Sequence, residues 1–113
     1  MRFISKDELP QLLPRLRDRH ESLVIYAPTR EHISAIIEII KKLGFASFFG
    51  VTTSRNIPEW WSEYREKTCY RFSCGGAGYC SLGWYESHGY TVYDIVDILQ
   101  SAAVPPPNLD DLF

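Results

Sequence analysis

Leu23-Val24-Ile25-Tyr26-Ala27-Pro28-Thr29, continuing through Ile33, Ile36, Ile37, Ile40 and Leu43 to Gly44-Phe45, is the stretch that decides the fold. Its first five residues form an apolar run of strand length, and Pro28-Thr29 supplies a turn with Thr29 as a helix N-cap. The isoleucines and Leu43 then recur at helical spacing on one face. Lys41 and Lys42 fall at the end that favours cations, and Gly44 takes the place of a C-cap glycine. Phe45 to Val51 is apolar again and predicts a second strand, so strand, helix and strand together imply a right-handed parallel crossover.

Working outward toward the start, Ser5-Lys6-Asp7-Glu8 has capping-box form, with Ile4 and Leu9 spaced as a hydrophobic staple. Leu9, Leu12, Leu13 and Leu16 keep helical spacing although Pro10 and Pro14 each remove a backbone donor. A kinked or two-part helix ending near His20 follows, with Arg15, Arg17 and Arg19 on its wet face. In the other direction, Thr52 to Ile57 is turn-like, and Pro58 opens a short helix carrying Trp60, Trp61 and Tyr64, with Glu63 facing Lys67. Thr68 to Ser73 and Tyr79 to Trp84 read as strands joined by Cys74-Gly75-Gly76-Ala77-Gly78. After a turn at Ser87-His88-Gly89, Thr91 to Asp94 reads as an acidic capping box, and Val92, Ile95, Val96 and Leu99 predict a last amphipathic helix. The expectation is an α+β domain over residues 1–104, with a small mixed β-sheet of about four strands packed with three to four helices. Pro105-Pro106-Pro107 then begins a tail, 105–113.

The chain has 113 residues and a formal net charge of -2, which fits one domain and excludes both a strongly basic nucleic-acid binder and a carboxylate-covered DNA mimic. The first residues lack a signal-peptide core and no apolar run reaches membrane-spanning length, so a cytoplasmic protein is expected. Three cysteines without framework spacing fit free thiols of a reducing compartment. Aromatic residues crowd the second half: Trp60, Trp61, Tyr64, Tyr70, Phe72, Tyr79, Trp84, Tyr85, Tyr90 and Tyr93. Large rings fill the core of a small domain, and those that reach the surface form a Tyr and Trp contact patch.

Chemistry is sparsely signalled. Cys69, Cys74, Cys80 and His88 are the residue types of a tetrahedral zinc site, but hairpin spacing sets Cys74 and Cys80 on opposite faces and Cys69 further down the ladder. No metal or cofactor is expected. Gly75-Gly76-Ala77-Gly78 lacks the following helix and lysine of a phosphate loop and reads better as a turn. Cys80, Glu86 and His88 are the only nearby nucleophile, acid and base, with no context for an oxyanion hole, and no enzyme is expected. Arg15, Arg17, Arg19 and Arg30 are interspersed with Asp18, Glu21 and Glu31, which makes solvated mixed-charge faces and argues against nucleic acid.

The tail carries the sharper signal. A triple proline holds an extended conformation and carries Asn108-Leu109-Asp110-Asp111-Leu112-Phe113 away from the body. In a single helical turn Leu109, Leu112 and Phe113 share a side, with Asp110 and Asp111 toward water. This peptide resembles the C-terminal sliding-clamp-binding peptides of phage replication and late-transcription proteins, and more loosely the PIP box. The resemblance implies that Leu109, Leu112 and Phe113 plug a pocket on the clamp, with Asp110 between them. The glutamine of those motifs is replaced by Pro106 or Asn108, and Leu112 stands at the first aromatic position. The tail can equally pack on its own body or on a neighbouring copy.

The body, with its strand, its Ile-rich helix ending in Leu43-Gly44-Phe45, its aromatic helix, its hairpin and its Gly89-Tyr90 turn, is similar in layout to many small phage-encoded proteins. That similarity implies a protein that binds host machinery or blocks host defence, CRISPR effectors included. The functional expectation is therefore a non-enzymatic phage accessory protein that binds a protein partner, either a sliding clamp through the tail or a defence complex through the aromatic surface around Trp60, Trp61 and Tyr64. A domain that sequesters a nucleotide signal between rings is the alternative. A homo-oligomer is compatible with either.

Overall fold

Leu23 and Ile25 alternate with Val24 and Tyr26, which gives Leu23–Tyr26 two distinct faces, and the sheet is built around this strand. The computed structural model describes residues 1–51, 57–74 and 76–99. In chain order the elements are β1 (Arg2–Ile4), α1 (Leu9–Asp18), β2 (Leu23–Tyr26), α2 (Arg30–Lys42), α3 (Trp61–Tyr64), β3 (Thr68–Ser73), β4 (Gly76–Ser81), α4 (Leu82–Ser87) and β5 (Val92–Ile95). The sheet has five strands in the order β1-β5-β2-β3-β4. β1, β5 and β2 run parallel, while β3 is antiparallel to β2 and β4 to β3. The α+β class is as the sequence implies, with five strands in place of about four.

One face of the sheet carries the main core. Ile4, Leu23, Ile25, Tyr70, Phe72, Tyr93 and Ile95 meet Leu9, Leu12, Leu13 and Leu16 of α1 and Ile33, Ala35, Ile36 and Ile40 of α2. Each such aliphatic side chain contributes roughly 1.5–3 kcal/mol on full burial, so this layer supplies the bulk of the driving force. Among the described residues the opposite face buries Val24, Cys69 and Val92, covered by Tyr85 of α4. The described elements thus cover the two faces unequally.

The helix ends follow local rules. Ser5 N–H donates to Glu8 Oε1 at 3.0 Å, the reach-back half of the capping box, at the head of a 3-10 turn (Lys6–Glu8) that leads into α1. α1 carries Pro10 in its first turn, where no donor is needed, and Pro14 inside it. It stops because His20 adopts φ 55, with His20 N–H to Arg17 O and Glu21 N–H to Leu16 O, a Schellman closure on a non-glycine residue. α2 starts on Thr29 Oγ1, which accepts from His32 N–H at 3.2 Å, and ends in the same closure through Gly44 at φ 84.

Three sequence expectations are corrected. Phe45 to Val51 is no strand, so β2, α2 and this segment form no parallel crossover. Phe49 N–H bonds Phe45 O and Val51 N–H bonds Ala46 O, which coils the run into a turn closed by Gly50 at φ 70. Its apolar residues pack on the core at helical spacing, with the Phe45 ring tilted against Phe49 four residues on, instead of alternating. The second strand of the hairpin is Gly76–Ser81, not Tyr79 to Trp84, because pairing begins already at Ser73 and Gly76, so Gly76 and Gly78 become strand residues. Ser81 Oγ then accepts from Trp84 N–H at 3.3 Å and caps α4. Finally, Val92–Ile95 is not a helix but the strand between β1 and β2. The parallel crossover that does exist runs from β1 through α1 to β2, with β5 inserted between them. Among the described residues no helix is long and apolar enough to cross a membrane.

Gly50 ties the coiled run to the hairpin: a Cβ there would lie 2.6 Å from the backbone carbon of Gly76. Gly50→Ala should therefore lose the roughly 1–2 kcal/mol of a left-handed backbone and more from the collision, lowering the urea midpoint. An unchanged midpoint would disprove this packing.

Candidate binding surface

Trp60, Trp61 and Tyr64 come together beside the hairpin, each half-buried. Pro58–Trp60 forms a 3-10 turn leading into α3, and this places Trp60 in parallel stacking on Tyr79, with centroids 5.1 Å apart, and on Tyr70 at 6.4 Å. Tyr70 is fully buried and its hydroxyl donates to Ile57 O at 2.6 Å, so burial pushes its ionisation far above the usual tyrosine value. Trp61 donates its ring N–H to Ala27 O at 3.0 Å, with the Arg30 guanidinium 5.9 Å from its ring. Tyr64 packs edge-on to Tyr79 with its hydroxyl 3.9 Å from the Cys80 sulfur, and the neighbouring Cys80 and Glu63 hold the hydroxyl protonated, raising it to about 12. Glu63 does not serve Lys67 as helical spacing implies. It accepts from the Tyr79 hydroxyl at 2.6 Å, because Arg65 at φ 54 breaks the helix after one turn. These three rings brace α3 against the sheet while each keeps part of its surface in solvent.

A second aromatic group projects further. α4 spaces Trp84 and His88 four residues apart at its C-terminal end, and their rings stack at 4.0 Å and 20°. Tyr90 continues the stack at 6.1 Å from Trp84 and meets Tyr85 edge-on at 5.3 Å. Arg71 of β3 lies with its guanidinium 5.5 Å from the Tyr90 ring and donates from Nε to Ser22 Oγ at 3.1 Å. Its neighbour across the hairpin is Gly78, which has no side chain to stand beside the guanidinium. His88 Nδ1 lies 2.7 Å from Trp84 O and so donates to it, which fixes the ring. Trp84 is 42% exposed although both ring neighbours hold it in place. An exposed ring already fixed loses little rotamer entropy on binding.

Toward the other corner of the same face, the register aligns Phe3 with Asp94, and Tyr26 with Cys69 and Cys80. Phe3 is 64% exposed. Burial raises Asp94 above the usual carboxylate value and lowers His32, whose Nδ1 is 2.8 Å from Thr29 Oγ1. The second face therefore offers an aromatic platform at one corner and a lone apolar ring beside a carboxyl at the other.

The remaining chemical candidates disperse. Cys69 and Cys80 face each other across the hairpin, closer than the longer hairpin loop implied, while Cys74 sits in its turn. Among the described residues no group of three or more His, Cys, Asp or Glu is placed to hold a metal ion. His88 faces Trp84 O and Ser87 and makes no contact that would join it to Cys80 in a nucleophilic pair, while Glu86 meets the Met1 amino group at 3.3 Å. Arg17 bonds Asp18 and lies over Phe45, and Arg30 turns toward Trp61 and Ser62, so these two arginines do not converge. Leu109, Asp110, Leu112 and Phe113 lie outside the described residues. Sequence reasoning missed the Trp84 and His88 stack because both were read as strand and turn; only a helix from Leu82 places them on one side. No family model, curated protein or solved structure matches this chain.

The thiols should differ sharply in reactivity. Cys74 is exposed, Cys80 partly so, and Cys69 is fully buried with its thiol pushed up to about 12 by burial. A thiol-disulfide reagent at neutral pH should modify Cys74 first and Cys69 only on unfolding. Rapid modification of Cys69 in the folded protein would show that α4 does not cover it.

Proposed function

We propose that this chain is a non-enzymatic accessory protein of a phage that acts in the host cytoplasm by binding a protein partner. The observation that carries this reading is Trp84, exposed yet held by stacking on His88 and Tyr90, with Arg71 alongside. Trp, Tyr and Arg are the residues that dominate protein interfaces, and a rigid cluster of them is how a hot spot is built. The partner for this platform is a host complex, of which a defence effector is the class that the layout of the body suggests. Trp60, Trp61 and Tyr64 support the hairpin and extend the aromatic surface.

The tail adds a second docking element. Leu109, Asp110, Leu112 and Phe113 follow a stiff proline run and resemble a sliding-clamp-binding peptide, so a clamp is the partner proposed for that element. A stack beside a guanidinium also suits a nucleotide base with its phosphate, and this supports nucleotide sequestration as the second reading.

The deciding experiment measures binding of purified sliding clamps and defence effector complexes to the full chain, to Trp84→Ala and to a chain ending at Val104. Loss of the side chain of a hot spot costs at least about 2 kcal/mol, so Trp84→Ala should weaken the platform partner by roughly thirtyfold, with circular dichroism unchanged. The shortened chain should lose only the clamp. Equal binding of one partner by all three proteins would reject both docking elements, and a melting temperature raised by cyclic nucleotides alone would favour the second reading.

A further inference from the structure

The groove along the outer side of α2 has a volume of about 510 Å³ and is unused by the platform. Its floor is apolar, formed by Ala35, Ile39 and Ile98. Arg30 marks one end of the helix and Lys42, next to exposed Lys41, the other, while Glu31 and Glu38 line the rim between them. Two features of the chain point to what fills it. Ile98 is itself part of that floor and Leu99 packs on the core, so the polypeptide enters the segment from Gln100 to Phe113 from within this site. The charge pattern also matches: Gln100 to Asn108 carries no charge and can pass two glutamates without repulsion, whereas Asp110 and Asp111 come afterwards.

Reach is no obstacle. The helix axis spans about 18 Å from Arg30 to Lys42, at 1.5 Å per residue. The stretch from Gln100 to Asp110 extends to roughly 35 Å.

We propose that the α2 groove is the docking site of this chain's own segment Gln100–Phe113. The uncharged part lies along the helix, Asp110 and Asp111 meet Lys41 and Lys42, and Leu109, Leu112 and Phe113 cover the apolar floor and its margin. This inference does not depend on the platform reading. For the tail it has a consequence: a clamp or other partner reaches Leu109, Leu112 and Phe113 only by displacing them from α2, so the body competes for its own tail.

The test is photocrosslinking in the full chain with Leu109→benzoylphenylalanine, in the absence of any partner. Crosslinks should join residue 109 to the tryptic peptide Glu31–Lys41 within a monomer band, with a yield independent of protein concentration. Lys42→Glu should lower that yield several-fold, and adding Asp110→Lys should restore it, which a merely unfolded variant would not do. Crosslinks to other elements, a dimer band that grows with concentration, or no protein crosslink would each overturn the proposal. The second of these would assign the groove to another copy. Trp84→Ala should leave the yield unchanged, so failure here is separable from failure of the platform reading.

Discussion

The four residues Val92–Ile95 hold this sheet together. They pair with β1 on one side and β2 on the other, so without them β1 would have no partner and the remaining strands would form a three-stranded remnant. A central strand must satisfy its backbone on both edges and place side chains on both faces. Tyr93 and Ile95 enter the main core, Val92 enters the second, and Asp94 sits at the margin of that second face. The order of assembly is constrained accordingly. β1 and β2 come from the first quarter of the chain, yet their common neighbour comes from near residue 92, so the parallel half of the sheet closes only after a long loop closure.

From this constraint follows the asymmetry on which function rests. α1 and α2 both pack on the face that receives Leu23, Ile25, Tyr93 and Ile95. Among the described residues the other face is covered by a six-residue helix, which turns Tyr85 inward while Trp84 stays out. The stacked rings and Arg71 are thus a product of incomplete cover: a face too apolar to leave bare, capped by an element too short to bury all of its own aromatic side chains. The α2 groove has a related origin, since the outer side of a helix whose inner side is engaged with the sheet becomes a wall beside Ile98, three residues after the chain leaves the sheet at Ile95.

Parts of this architecture were plain in the residues. The isoleucine spacing, the Thr29 cap and Gly44 define α2 to within a turn, the apolar run from Leu23 marks a strand that ends at Tyr26, and Thr68 to Ser73 is a strand as its place beside the glycine-rich connection implies. Other parts were ambiguous for a physical reason. Phe45 to Val51 is apolar in a way that suits either a buried strand or a coiled turn, and its conformation depends on Gly50 closing against the Gly76 backbone, a contact between residues far apart in sequence. Val92, Ile95, Val96 and Leu99 have genuine helical spacing, but strand pairing offered by β1 and β2 outweighs it. The candidate surface was half legible: its Trp and Tyr content stood out, while Arg71 beside Tyr90 and the stack of Trp84 on His88 required knowing the strand pairing and that Leu82 begins a helix.

The sequence alone determined the amphipathic helix, the strands at Leu23 and Thr68, the capping residues, the aromatic excess and the proline-led acidic tail, because each is set by neighbours a few residues away. Tertiary structure decided which strand fills the gap between β1 and β2, where the glycine-rich hairpin turns, which aromatic rings brace the core and which remain outside, and that a groove lies beside the point where the chain leaves Ile98. Those outcomes depend on backbone pairing and packing between segments distant in sequence, where local preference is weaker than the cost of an unpaired strand edge or an uncovered apolar face.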